Sequence, residues 1–231
     1  MQPTRRFSRT SSPQSTARSD QDRKLPGRPI PRWCPYWAAA APRPRIFGGF
    51  VEISAGTSAD GNDAVAQPLL GESAWDVRLC VAITASGEEA IGSTAAMSET
   101  ARSSPYCPAW LASVPGDLDE ARAAIAARDL ARLGAVAERS ALRMHACAMA
   151  AEPHILCWIS GTLAALATVK KPREVGVAAY ATIDAGPHVK ALYASSDAAQ
   201  VEAALAATPS VMRVLRLAPG PGAQVTREGL W

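Results

Sequence analysis

The chain has 231 residues, 48% of them hydrophobic and 19% charged. That is enough apolar material for a sizeable core, which excludes wholesale disorder. No run approaches the roughly 20 consecutive apolar residues that a membrane-spanning helix needs. The net charge of +3 conceals a division along the chain: residues 1–45 hold ten Lys/Arg against Asp20 and Asp22, a balance of +8, while the remaining 186 hold 14 basic and 19 acidic groups, a balance of −5.

Residues 1–45 also carry eight of the 18 prolines and a single glycine. They show neither a helical nor an alternating apolar period, so they read as a disordered basic arm. Three sharper readings stand beside that one. The arm could bind nucleic acid or an anionic membrane surface. It could be an organelle transit peptide, since residues 1–19 are rich in Arg and Ser and lack acids. Or it could be non-native, frame-shifted sequence. Its aromatics, Phe7, Trp33, Tyr36 and Trp37, are too few and irregular for a base-stacking platform, which weighs against a nucleic-acid partner.

The five cysteines, Cys34, Cys80, Cys107, Cys147 and Cys157, are scattered and form no CxxC. This predicts reduced thiols and a cytoplasmic setting. His145, His154 and His188 lack ligand spacing, so no metal site is expected.

In chain order, residues 46–53 predict a strand containing Gly48-Gly49, and residues 54–74 a polar, Gly-rich loop. Residues 77–84 (VRLCVAIT) predict a buried strand. Ser93 is placed as the cap of a helix over 93–100. Pro115-Gly116 predicts a chain stop, after which Asp117 and Glu120 form a capping-box-like helix start with Leu118, Ala121 and Ile125 on one face. Asp129 caps the next helix, with Leu130, Leu133, Ala137, Ala141 and Ala148 on its stripe. Residues 156–169 predict a third helix, closed by Lys170-Lys171-Pro172. Strands over 176–183 and 189–194 flank a turn at residues 184–188, followed by a helix over 198–206 and a strand over 211–217. The order β-α-β-β-α-β predicts an α/β (α+β) fold. It is a split βαβ, ferredoxin-like sandwich, with an antiparallel sheet and helices on one face.

Few residues stand out chemically. Asp184 sits where a strand gives way to Gly-Pro, the position of an ordinary Asx turn or of a carboxylate whose basicity the strand end tunes. Ser93 and Thr94 follow Gly92 at a helix start, where they serve as an N-cap or as part of a phosphate site. Arg143 and His145 lie on a helix, where a lone His is more often packed than catalytic. No Walker A, GxGxxG or HExxH pattern occurs.

Taken in order, Phe47-Gly48-Gly49-Phe50-Val51-Glu52, Ala59-Asp60-Gly61-Asn62-Asp63, Gly92-Ser93-Thr94-Ala95-Ala96-Met97, Ser104-Pro105, Arg143-Met144-His145-Ala146 and Asp184-Ala185-Gly186-Pro187 resemble the diphosphomevalonate decarboxylase family of the GHMP kinase superfamily. The resemblance runs from about residue 46 to about residue 194. It implies ATP-dependent decarboxylation of mevalonate 5-diphosphate to isopentenyl diphosphate, with ATP and Mg2+ as cofactors and no membrane partner. It also allows a homodimer. It implies that Asp184 is the catalytic aspartate facing the tertiary hydroxyl and that Ser93 contacts substrate phosphate, with Thr94 and Gly186 beside the substrate. The alternatives are a related mevalonate or phosphomevalonate kinase or decarboxylase, or a non-catalytic binding module with a basic arm. By the same resemblance, residues 46–75 are a remnant of the family's N-terminal half with a linker, and residues 76–218 are its C-terminal domain.

The chain departs from the family at three places. His188 stands where Asn usually follows DAGP, and Ser140 where many bacterial members have Asn. Upstream of residue 46, the family's Gly/Ser-rich phosphate loop is missing, and so is the Gly-Ser-Gly-Ser segment with its substrate-binding arginine, in whose place stands Trp37-Ala38-Ala39-Ala40-Ala41-Pro42-Arg43-Pro44-Arg45. Every Trp codon ends in G and every Ala codon begins GC, so this run read one frame over can encode Gly-Ser-Gly-Ser and a small residue. The chain by itself is then expected to show little or no activity. Sequencing the coding DNA upstream of codon 46 tests the frame-shift reading. A Gly/Ser-rich phosphate loop in another frame is expected, and its absence from all three frames overturns the idea.

Overall fold

The computed structural model describes residues 47–54, 63–87 and 91–223. The expectations for residues 1–45, for Ile46 and for residues 59–62 lie outside the described residues.

Two sheets are present among these residues. The smaller pairs β1 (Phe50–Ile53) with β2 (Ala66–Leu70) in antiparallel fashion. The larger contains β3 (Val77–Ile83), β4 (Ala179–Thr182), β5 (Val189–Ala194) and β6 (Arg213–Leu217), in the order β4-β5-β3-β6, with every neighbouring pair antiparallel. This is the expected split βαβ order: the two strands joined by the hairpin lie together, and the first strand sits between the third and the fourth. The helices at 160–170 and 198–206 share one face as expected, whereas the helix at 130–149 lies against Tyr180 and over Thr182 and Lys190, which point to the other.

Strand alternation sorts the large sheet into two faces. Cys80, Ala82, Ala179, Ala181, Val189, Ala191 and Tyr193 point one way and are buried. Ala165 and Val169 of α4 (Ser160–Lys170), and Val201 and Leu205 of α5 (Ala198–Ala206), close over them as the main core. Within it the fully buried Tyr193 hydroxyl donates to Glu202 Oε1 at 2.8 Å, and burial pushes its pKa up.

The remaining helices are α1 (Ser93–Ser103), α2 (Cys107–Ala127) and α3 (Leu130–Met149). The last two form a helical hairpin joined by only Arg128 and Asp129. Arg128 takes a left-handed φ of 55°, and Asp129 caps α3 by accepting from the Arg132 N–H at 3.0 Å, as the sequence predicts. Met97, Cys107, Trp110, Leu111, Met144 and Cys147 make a second core cluster among α1, α2 and α3.

The expected stop at Pro115-Gly116 is not there: Pro115 lies inside α2. A proline removes one intrahelical hydrogen bond and crowds the preceding turn. Tertiary contacts on both sides outweigh that cost. Trp110 and Leu111 before it and Ala124 after it are all buried. Asp117, expected as an N-cap, instead accepts from Arg139 at 2.8 Å and from Arg143 at 2.9 Å across to α3. Ser113 also donates to the Trp110 carbonyl at 2.7 Å and accepts from Arg143 at 3.0 Å.

Other boundaries differ from the sequence expectation, the strands expected over 176–183 and 211–217 spanning Ala179–Thr182 and Arg213–Leu217. The 54–74 loop contains β2, in which Pro68 sits opposite Val51 at an irregular register; proline in the run hides the strand pattern. The helix expected over 156–169 begins only at Ser160. The first strand starts at Phe50, because Gly49 has a φ of +70° and a Cβ there would lie 2.2 Å from the Leu70 carbonyl oxygen. Gly48 is equally enclosed, by the backbone of residues 220–222, so the Gly pair fits where no side chain would.

α3 is fastened to the sheet at its β4 edge. Glu138 Oε1 accepts from the Ala181 N–H at 2.9 Å, which satisfies a donor that an edge strand would otherwise leave open. Arg173 holds the same carboxylate through two hydrogen bonds and lies 5.0 Å above the Tyr180 ring. Gly134 allows the approach, since a Cβ there would stand 2.0 Å from the Tyr180 ring. Gly134→Ala is therefore expected to destabilise the fold by about 1–3 kcal/mol, as overpacking does. Urea unfolding checks this, and an unchanged midpoint would show that the helix can move off the ring at no cost.

Candidate active site

The turn between β4 and β5 is pinned from two directions. The Pro187 carbonyl accepts from Thr84 Oγ1 at 2.8 Å and from Thr162 Oγ1 at 2.7 Å. Both threonines are buried. Thr84 follows β3, and Thr162 lies in the first turn of α4, where its hydroxyl also accepts from the Ile159 N–H at 3.2 Å. Gly161 makes room for this convergence, because a Cβ there would come within 3.0 Å of Thr84 Cβ. His188 adds a third tie: its Nδ1 accepts from the Thr84 N–H at 3.3 Å. An Asn Oδ1 occupies a comparable place on its side chain and accepts in the same way. The departure at His188 therefore keeps a hydrogen-bond acceptor there.

The pinned turn separates two cavities. One, of about 230 Å³, is lined by Ser86, Gly87, Ile91, Leu156, Gly186 and His188 among others. The other, of about 430 Å³, lies between α3 and the second face of the sheet and is lined by Trp110, Ser140, Met144, Thr182, Asp184 and Lys190 among others. Asp184 thus faces a cavity, as a reacting carboxylate must. Its Oδ1 accepts from the Lys190 ammonium. Lys190 is 26% exposed, and burial holds its pKa below the ordinary lysine value. Trp110 is buried, and its Nε1–H has no acceptor among the described residues.

Gly186 shares its cavity with Ile91, two residues before α1. Ser93 is the first residue of α1 rather than its cap, which is Gly92; Gly92 has the extended backbone of a cap but no side chain to accept from the first turn. Ser93 is half-buried and Thr94 exposed, and neither lines the two cavities around the turn. The structure therefore brings Asp184 and Gly186 together on one turn, and sets Ser93 and Thr94 at the end of the loop that borders it. The first turn of such a helix offers unbonded N–H groups.

Arg143 and His145 are elsewhere. Arg143 is engaged with Asp117, and His145 is 2% exposed with its ring 5.2 Å from that of Trp158. His145 is packed, as expected for a lone His on such a helix, but its Nε2 lacks the hydrogen bond that ordinarily goes with such packing, having no partner among the described residues. Burial lowers its pKa from 6.5 to about 4.

Sequence reasoning missed Lys190, Thr84 and Thr162. For Lys190 a signal existed. A turn at residues 184–188 sets Thr182 opposite Lys190, and that register brings the ammonium within reach of Asp184. The threonines carry no such signal, because their meeting depends on the packing of α4 against β3.

No group of three or more His, Cys, Asp or Glu that could hold a metal ion occurs among the described residues. The two cavities around the turn are lined by a single carboxylate, Asp184, which is bonded to Lys190, so their lining does not by itself fit a Mg2+ site. None of the described helices is long and apolar enough to cross a membrane.

Comparison with known proteins identifies the chain. The family described as "Mevalonate 5-diphosphate decarboxylase C-terminal domain" matches residues 79–214. The chain belongs to this family. Among curated relatives, the diphosphomevalonate decarboxylases of Danio rerio and Homo sapiens are 28% and 29% identical over 112 residues, covering 48% of the chain and 28% of each relative. Among solved structures, mevalonate diphosphate decarboxylase from Staphylococcus aureus superposes with a TM-score of 0.70 at 29% identity, over 77% of this chain and 53% of that one. A structure of MDDEF in complex with MVAPP, AMPPCP and magnesium gives 0.69 at 30% identity, over 78% and 55%. The chain thus spans less than a third of those curated relatives and about half of those structures. The matched span of the family runs from β3 to β6 and contains the whole pinned turn.

The burial of His145 has a consequence with a definite sign. Its folded pKa lies below its unfolded value, so the unfolded chain binds more protons between the two. The stabilisation from keeping His145 neutral is complete above about pH 6.5 and is lost as pH falls through about 4. The loss should be on the order of 3 kcal/mol. Urea unfolding at about pH 7 and about pH 4.5 measures it. The drop is expected to shrink clearly in His145→Leu, and an equal drop in both proteins would show that other groups cause it.

Proposed function

We propose that this chain supplies the acceptor side of an ATP-dependent decarboxylation of mevalonate 5-diphosphate to isopentenyl diphosphate. The observation that carries this reading is Asp184, held at the rim of a cavity by a turn whose Pro187 carbonyl is fixed by two buried threonines. A tertiary alcohol is a poor nucleophile, and a phosphoryl acceptor must be aligned before it reacts. A carboxylate fixed in this way accepts the hydroxyl's hydrogen bond and sets its direction. The hydroxyl oxygen takes the γ-phosphoryl group of ATP, ADP leaves, the hydroxyl proton passes by way of Asp184 to solvent, and the oxygen becomes part of a phosphate leaving group. As the C–O bond breaks, the bond to the carboxylate releases CO2 and its electron pair forms the new double bond.

Ser93 and Thr94 would meet substrate phosphate at the start of α1, and Gly186 would let the substrate approach the turn backbone. ATP and Mg2+ enter as the family's other requirements, with a share of binding beyond the described residues. A cytoplasmic setting suits the reduced thiols of Cys80 and Cys147. The small-molecule substrate is the partner the site is shaped for, and sedimentation velocity decides whether a homodimer forms.

Calorimetric titration of the full chain with mevalonate 5-diphosphate tests this reading. Saturable binding, competed by inorganic pyrophosphate, is expected. Asp184→Asn, which loses the charge on the hydroxyl's acceptor, should bind about tenfold more weakly, while any ATP-dependent CO2 release should fall by about 100-fold or more. Failure of the wild-type chain to bind mevalonate 5-diphosphate would sink the proposal.

A further inference from the structure

Lys190 stands on β5, paired with Thr182 of β4 on one side and Val81 of β3 on the other. Alternation turns its side chain away from the core face that holds Ala191 and towards the cavity under α3. A lysine in such a place ordinarily extends its ammonium into water and uses only its stem for packing. This ammonium instead turns back along the hairpin to Asp184 Oδ1.

The two partners differ in how they are held. Strand packing confines Lys190, whose side chain is 26% exposed, whereas that of Asp184 is 62% exposed. The β4–β5 ladder ends at Thr182, so Asp184 lies beyond it, on the turn. Among the described residues Lys190 is the one group bonded to the Asp184 carboxylate, and Oδ2 has no protein donor. The more exposed acid is therefore oriented by the less exposed base. A cation held short of full hydration is tolerated where an anion stands within its reach. The threonine clamp fixes the turn backbone but does not set a side-chain torsion.

We propose that Lys190 is the positioning residue of this site: its ammonium holds Asp184 Oδ1, fixes the aspartate rotamer and leaves Oδ2 free to accept the substrate hydroxyl. The functional part of this proposal rests on the reading of Asp184 given above, but the positioning itself does not. Lys190→Met keeps the packed stem and removes the ammonium, so the rotamer should be released. Lys190→Arg restores a cation at similar reach.

Three-bond couplings about the Asp184 χ1 torsion, measured by NMR on the isotopically labelled full chain, test the positioning directly. Asp184→Asn identifies the signals. A single rotamer is expected in the wild type and in Lys190→Arg, and averaged couplings in Lys190→Met, with amide spectra unchanged away from the hairpin. Mevalonate 5-diphosphate should bind Lys190→Met about three- to tenfold more weakly than the wild type and Lys190→Arg nearly normally. If Lys190→Met does not fold, Lys190→Gln takes its place. Averaged couplings already in the wild type, or a single rotamer persisting without the ammonium, overturn the proposal. So does an affinity that Lys190→Met leaves unchanged. A wild-type chain that binds no mevalonate 5-diphosphate ends the functional reading, while the couplings still decide whether Lys190 positions Asp184.

Discussion

The arrangement depends on one close approach, that of α3 to the edge of β4. Gly134 lies against the Tyr180 ring, and one turn later Glu138 closes the open hydrogen-bonding edge of the strand while Arg173 holds its carboxylate. Everything on the second face of the sheet follows from this. The approach places Ala137, Ser140, Ala141 and Met144 over Thr182 and Lys190, and the space left between them is the cavity that Asp184 borders. A bulkier residue at position 134 would lift the helix and open that space to solvent. The same contact carries α2 along, because Asp117 is bound to Arg139 and Arg143 of α3.

The turn bearing Asp184 draws on a different part of the chain. Its backbone is fixed by hydroxyls from residue 84 and residue 162, which come together only when β3, α4 and the β4–β5 hairpin have all packed. The carboxylate is thus placed by the main core through its backbone and faces a cavity built by α3. Such a division lets a site be rigid in its main chain while its side chain answers to a separate contact.

What could be read from the sequence followed the range of the interactions involved. Asp129 was legible as a cap because its hydrogen bond reaches only to Arg132. The split βαβ order was legible because element type and order are local patterns. Asp184 and Gly186 were legible as a turn for the same reason, and the family resemblance gave them a chemical meaning. Pro115 misled, because its local cost is overridden by burial of Trp110 and Leu111 and by two arginines from another helix. β2 was hidden by Pro68, tolerable there because among the described residues β2 pairs with β1 alone. Ser93 looked like a cap from its residue type, yet Gly92 fills that role by backbone shape alone. The threonine clamp could not be read at all, since it joins residues 103 and 25 positions from their target and leaves no periodic trace.

The Phe47-Gly48-Gly49-Phe50 segment carries one more consequence. Its two glycines lie between the backbone of residues 70–72 and that of residues 220–222, and the Gly49 N–H donates to the Gly220 carbonyl at 2.9 Å. The first described segment is thereby sealed by nearly the last. A contact of such long sequence separation closes a large loop, and the entropy of that closure falls due before the contact returns anything. The small β1–β2 sheet therefore docks late and is the natural place for the molecule to begin opening, a seam whose fraying leaves the four-stranded sheet and the turn at Asp184 intact.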